Sequence, residues 1–198
     1  MISVGVSESR DESQVRVISD DVVVLRRWSR GDAEFISEAC KDPAIQRYSS
    51  PAQSIGEAAE LIERFGRKWT GFVESGNPTG VAFAVVDAAS GELAGLCGVD
   101  EWSPAGVAQI GYWLAAAARR RGFATRAVVL LTGWLFQLGA ARVFLTVASE
   151  NVDSIAVARG AGFTYEGTLR SHGLWQGSRC DVDVFGALPD EWAARKGI

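Results

Sequence analysis

Hydrophobic positions along the chain alternate between a period of two and a helical period, and the changes of period mark out its elements. Residues 22–27 (VVVLRR) are a short β-branched run and predict a strand. Ser29 and Asp32 then form an S-x-x-D start for a short helix that ends before Pro43. Residues 43–53 read as a loop containing Tyr48 and Pro51. Ser54 and Glu57 make an S-x-x-E capping box for a second helix, with Ile55, Ala58, Leu61, Ile62 and Phe65 on one face and an end near Trp69. Gly76, Pro78 and Gly80 mark a further loop. After it, residues 81–87, 93–99 and 107–114 predict three strands with short connections, an antiparallel meander.

Residues 109–127, QIGYWLAAAARRRGFATRA, carry the strongest local signal. They read as the end of a strand, a basic loop and the first turn of a helix beginning near Ala124. Along that helix Ala127, Val128, Leu131, Leu135 and Leu138 recur with helical spacing, and Gly139 stands at its end as a C′ residue. A helix start offers unpaired N–H groups and the positive end of the macrodipole, which favour an anion. Arg119, Arg120 and Arg121 stand just before that start and Arg126 one turn in, where guanidinium forks can clamp phosphate oxygens. Gly122 and Ala124 leave room for a close ligand approach. Taken alone, R-x-x-G-x-A is equally the pattern of a solvated surface loop.

Residues 142–148 predict a strand. Strand, helix and strand together imply a right-handed crossover and parallel pairing. Asn151 opens another short helix ended by Gly162, and residues 163–169 and 180–188 close the chain as strands. The expected fold class is α/β (α+β): a mixed, mostly antiparallel sheet with helices on both faces. Residues 1–20, polar and acidic, read as a flexible extension, and residues 21–198 as a single domain.

Composition narrows the picture without changing it. The 198 residues, 47% hydrophobic and 22% charged, suit one globular domain with a substantial core. A net charge of −4 argues against a general nucleic-acid binder, so the arginine cluster stands out as a local feature. Cys40, Cys97 and Cys180 are odd in number, far apart and in no metal-ligand spacing, so reduced, buried thiols and no metal site are expected. No apolar run reaches about 18 residues and the N-terminus lacks a signal-peptide core, which predicts a cytoplasmic protein without a membrane partner.

The order of elements, with R-R-R-G-F-A-T, then N-V-D-S, then R-G-A-G-F, resembles the GNAT superfamily of acyl-CoA-dependent N-acetyltransferases, in particular the Rim-type branch of ribosomal-protein N-terminal acetyltransferases. The resemblance spans residues 21–192, including L-R-R-W-S-R-G-D, I-G-Y-W-L and D-V-F-G-A-L-P-D-E-W. It implies acetyl-CoA as the donor, held between a central pair of parallel strands that splay apart. The family's phosphate signature falls on Arg119, Gly122 and Ala124, and the backbone N–H groups of Arg120, Arg121, Gly122, Phe123, Ala124 and Thr125 are expected to grip the coenzyme A diphosphate. Backbone groups near Tyr112 and Leu114 are expected to pair with the pantetheine arm.

The same resemblance places Asn151 on the pantetheine arm and Ser154 near the thioester sulfur, where a departing thiolate benefits from a proton donor. Both are also good local choices, as an N-cap and a first-turn residue. Where many family members carry a tyrosine acid, this chain has Ala158, which favours Ser154. Gln109 stands where a glutamate base is common and cannot accept a proton, leaving Asp100 and Glu101 as the nearest acidic residues. Residues 43–54 and 171–179 are expected to frame the acceptor cleft, with Tyr48, His172 and Trp175 lining it.

A terminal α-amine near pKa 8 is far more often free base at neutral pH than a lysine near 10.4. With no strong base in view, the expected reaction is acetyl transfer to a primary amine, a protein or peptide N-terminus ahead of others. The alternatives are acylation of a small amine such as an aminoglycoside or polyamine, and a non-catalytic coenzyme A-binding protein. Exposed strands and Trp-rich loops permit a homodimer.

Overall fold

In the computed structural model, which describes residues 17–48, 52, 54–175 and 177–195, eight strands form one sheet in the order β1-β2-β3-β4-β5-β6-β8-β7. The strands are β1 (Ile18–Ser19), β2 (Val23–Arg27), β3 (Ala82–Asp87), β4 (Leu93–Trp102), β5 (Val107–Leu114), β6 (Arg142–Ala148), β7 (Thr164–Trp175) and β8 (Ser178–Ala187). The helices are α1 (Ala33–Ala39), α2 (Pro43–Tyr48), α3 (Ile55–Ser75), α4 (Phe123–Gln137), α5 (Val152–Ala161) and α6 (Pro189–Arg195). All neighbouring strands pair antiparallel except β5 and β6.

The parallel pair sets up everything else. β5 and β6 are in register only from Val107↔Arg142 to Gln109↔Phe144, after which they diverge. The Gln109 side-chain amide donates to Thr146 Oγ1 at 3.3 Å, bridging the strands where they begin to part. Beyond that point one edge of β5 has no strand partner among the described residues, which is the splay expected from the resemblance.

Alternation along β5 separates two layers. Ala108, Ile110 and Leu114 are buried in the main core with Phe123, Val128, Leu131 and Leu135 of α4, and Tyr112 packs against the same cluster. Trp113 points the other way, into a second cluster built by Ile36 of α1, Ile45 of α2 and Ala58 and Ile62 of α3. Helices therefore cover both faces, and β3, between β2 and β4, is buried at every position. Trp69 anchors the far end of α3: its ring meets Phe83 at 5.0 Å and Trp134 at 6.2 Å, and its Nε1 donates to Ala82 O at 3.2 Å.

Several expected boundaries change. Residues 43–48 are the helix α2 rather than loop: Asp42 caps it, accepting the Ala44 N–H at 2.8 Å, and Pro43 occupies the first turn where a missing N–H costs nothing. Residues 49–51 and 53 of that expected loop lie outside the described residues. Helix α3 continues past Trp69 to Ser75, because Phe72 extends the apolar face; left-handed Gly76 (φ +74°) stops it by donating to Phe72 O at 2.8 Å. Ile18 is buried and β1 pairs with β2, so the sheet begins before Asp21; residues 1–16 lie outside the described residues. The expected loop 171–179 is largely the hairpin of β7 and β8. Cys40 and Cys97 are buried, whereas Cys180 is half-buried.

Candidate active site

The divergence of β5 from β6 opens a cavity of about 560 Å³, bounded by β5, the loop before α4, the first turns of α4 and α5, and α2. Ten of the residues expected to hold the donor line it: Tyr112 and Leu114 from β5, Arg119, Arg120, Gly122, Phe123, Ala124 and Thr125 from the loop and α4, and Asn151 and Ser154 at the start of α5. Tyr48 lines it from α2.

The loop has a shape suited to an anion. Arg120 (φ +59°) and Gly122 (φ +80°) are left-handed, with Arg121 between them not, a path along which successive N–H groups converge. Gly122 is the N-cap of α4 and offers no side-chain cap, so the first amides of that helix are left for a ligand. A diphosphate fits this cradle, and the unpaired edge of β5 fits an extended amide-bearing arm.

The arginine side chains do something different from what their spacing suggests. Arg119 donates from Nε and Nη2 to Leu114 O at 3.2 and 3.0 Å, and its Nη2 also lies 2.7 Å from Asp42 Oδ2. Arg121 is bound to Asp87 Oδ2 at 2.6 Å with its guanidinium 4.4 Å from the Phe123 ring, and it does not line the cavity. Arg126 reaches Asp20 Oδ2 at 2.9 Å. Three arginines, Arg119, Arg121 and Arg126, are thus ion-paired with Asp42 just before α2, Asp87 of β3 and Asp20 just after β1, aspartates remote in sequence. Among the described residues, Arg120 is the loop arginine without such a carboxylate partner.

At the other end, Asn151 Oδ1 accepts the Ser154 N–H at 3.1 Å, fixing the first turn of α5. The Tyr112 hydroxyl is buried beside Ser154 without a well-formed hydrogen bond to any described group. Burial pushes this phenol up to about 12, with the Ser154 side chain pulling the other way. The burial of the Tyr112 hydroxyl beside Ser154 was not legible in sequence, where Tyr112 reads as a strand former. Ala44, Ile45, Trp113, Asp153, Ala156 and Val157 also line the cavity without any sequence signal.

Asp100 is the extra residue of a bulge where β4 shifts register against β5 between Val99 and Glu101. As a residue it is exposed, yet its carboxyl folds back over Gly111: a Cβ there would lie 2.7 Å from Oδ2. That crowding removes water from the carboxyl and raises its pKa to about 6. Because it sits over Gly111, it belongs to the Trp113 face, opposite the Tyr112 face. It does not itself line the cavity, and neither do Glu101, His172 and Trp175. Glu101 is exposed opposite Gln109. His172 is exposed on β7, beside the bulge between Leu169 and Gly173, because the expected loop is hairpin. Trp175 instead meets Tyr48 edge to face at 5.8 Å, and Arg47 bonds Glu150 at 2.7 Å, so α2 is tied to β7 and to the β6–α5 connection.

Among the described residues no group of three or more His, Cys, Asp or Glu side chains is placed to hold a metal ion. No described helix is long and apolar enough to cross a membrane.

The chain is similar to known proteins in sequence and in fold. The Acetyltransferase (GNAT) domain family matches residues 23–164. An uncharacterised N-acetyltransferase of Bacillus subtilis (strain 168), YoaA, is 25% identical over 173 residues, covering 85% of this chain and 94% of that protein. The structure of the ribosomal L7/L12 α-N-protein acetyltransferase RimL in complex with coenzyme A superposes with a TM-score of 0.73 at 20% identity, over 87% of this chain and 97% of that one. A spermidine N-acetyltransferase SpeG chimera from Vibrio cholerae and hSSAT gives a TM-score of 0.69 at 25% identity, over 87% and 99%. With a family match over most of its length and the sheet, splay and cavity in place, the chain belongs to the GNAT acetyltransferase family and is an acyltransferase.

Proposed function

We propose that the protein transfers the acetyl group of acetyl-CoA to a primary amine, and that the acceptor is the α-amine of a protein or peptide N-terminus. The observation that carries this reading is the cavity between the diverging strands, with an amide-rich helix start at one end and two hydroxyls at the other. The donor supplies an activated thioester; the chain positions it and handles protons. Amides at the start of α4, with the Arg120 side chain, bind the diphosphate. The edge of β5 at Tyr112, beyond its pairing with β6, pairs with the pantetheine arm as an added strand, and Leu114, whose carbonyl is already held by Arg119, adds only its N–H. Asp100, directly or through one water, takes the proton released as the amine nitrogen bonds to the carbonyl carbon. Ser154 offers a hydrogen bond to the sulfur as the carbon–sulfur bond breaks and the sulfur keeps the electron pair.

The modest basicity of Asp100 is what favours an α-amine. A carboxylate of pKa about 6 is a weak partner for a lysine near 10.4, whereas a terminal amine near 7.7–8.0 presents a substantial free-base fraction without help. A polyamine or other small cationic amine is the second reading. It is favoured by the acidic Asp153 in the cavity lining and Asp100 nearby, and by the likeness to a spermidine acetyltransferase. Thiol release from acetyl-CoA, followed against equal concentrations of short peptides with free N-termini, the same peptides N-blocked but containing lysine, and spermidine, separates the readings. The first set is expected to be fastest; preference for spermidine or for the blocked lysine peptides would reverse the assignment.

A further inference from the structure

Among the described residues, the Tyr112 hydroxyl is a buried polar atom without a well-formed hydrogen bond, on a side chain that lines the cavity, and such groups in a native fold call for an explanation. Ser154 lies beside it on α5, and the Asn151 cap holds the helix turn that presents Ser154 to β5. On the helix itself no second hydroxyl is available from position 158, which is alanine. A serine hydroxyl rotates freely, so a lone Ser154 has no fixed direction for its proton.

We propose that Tyr112 is a positioning residue whose O–H donates to Ser154 Oγ, leaving the Ser154 proton aimed at the thioester sulfur. This rests on the transferase reading above. As the carbon–sulfur bond breaks, the sulfur takes both electrons, and the hydrogen bond from Ser154 stabilises the resulting thiolate. Both hydroxyls keep their protons; the amine proton has gone to Asp100 and from it to solvent. The burial that lifts the phenol to about 12 keeps Tyr112 a donor at every pH at which the enzyme would work. The simpler role, a ring that packs against the core, predicts no effect from removing the hydroxyl alone.

Tyr112→Phe removes only that oxygen and keeps the ring that packs against the core. It is expected to lower kcat about tenfold, equivalent to about 1.4 kcal/mol, with KM for acetyl-CoA and the melting temperature nearly unchanged. In a Ser154→Ala background the same substitution should do nothing further, since the effect passes through Ser154. A second readout needs no turnover: the thiol pKa of bound free coenzyme A, followed by ultraviolet thiolate absorbance, should rise by about one unit in Tyr112→Phe. Wild-type turnover in Tyr112→Phe with coenzyme A bound normally would overturn this inference alone, and so would an equal loss in both backgrounds. Failure of the wild-type protein to bind coenzyme A would overturn it together with the transferase reading.

Discussion

Substitution of Asp100 by asparagine isolates the proton acceptor from everything else in the site. With a pKa of about 6, the carboxyl is roughly nine-tenths ionised at pH 7, half at pH 6 and a tenth at pH 5. A general base contributes about a hundredfold or more. The ratio of kcat/KM for wild type over Asp100→Asn should therefore be near that factor at pH 8 and fall about tenfold by pH 5. Taking the ratio cancels titration of the acceptor amine, which affects both enzymes alike. Gly111→Ala offers an independent route, because the new methyl group would lie 2.7 Å from Oδ2 and must push the carboxyl aside. The displaced atoms are the end of a side chain, so the strand should survive while activity drops as in Asp100→Asn. Stability should move the other way. A raised folded-state pKa means that the folded protein holds this proton more tightly, so the carboxyl stabilises at low pH and that contribution is lost as pH rises from about 4 to 6. Asp100→Asn should then melt above wild type at pH 8 and not at pH 4. A rate ratio that is flat from pH 5 to 8, or a fully active Gly111→Ala enzyme, would refute Asp100 as the base.

Two further predictions concern the scaffold. Trp69 is 1% exposed and packs against Phe72, Phe83 and Trp134, so Trp69→Ala should cost about 3–5 kcal/mol in urea unfolding and leave the pH dependence of turnover intact. Gly122→Val forces a branched side chain into a left-handed conformation (φ +80°) with open space around it; it should cost about 1–2 kcal/mol of stability while weakening coenzyme A binding about tenfold in calorimetry.

The sheet was readable because its strands are separated by strong punctuation: Gly76, Pro78 and Gly80 before β3, the Ser103 to Gly106 turn before β5, and Gly139 and Gly162 after α4 and α5. Helix α2 was not, since Asp-Pro reads as a loop until Asp42 is seen to cap it. The residues at the cavity followed from local signals where they cap a helix, as at Gly122 and Asn151, the N-caps of α4 and α5. They failed where function depends on long-range partners. Nothing local ties Arg121 to Asp87 or Arg126 to Asp20, and the spacing of the arginines alone suggested free cations. Asp100 was visible only as an acidic residue near a strand end; its raised pKa comes with the place of its carboxyl over Gly111 on the neighbouring strand. His172 is exposed but away from the cavity, on β7 rather than in a loop, because the length of the β7–β8 hairpin cannot be read from its polar sequence.

The most direct test of the account is calorimetric titration of the purified protein with coenzyme A, compared with the same titration using pantetheine, which lacks the diphosphate. Micromolar binding of coenzyme A that is largely lost with pantetheine is the expected result, because the amides at the start of α4 and Arg120 are assigned to the diphosphate. Equal binding of the two, or binding of neither, would contradict the assignment of the cavity.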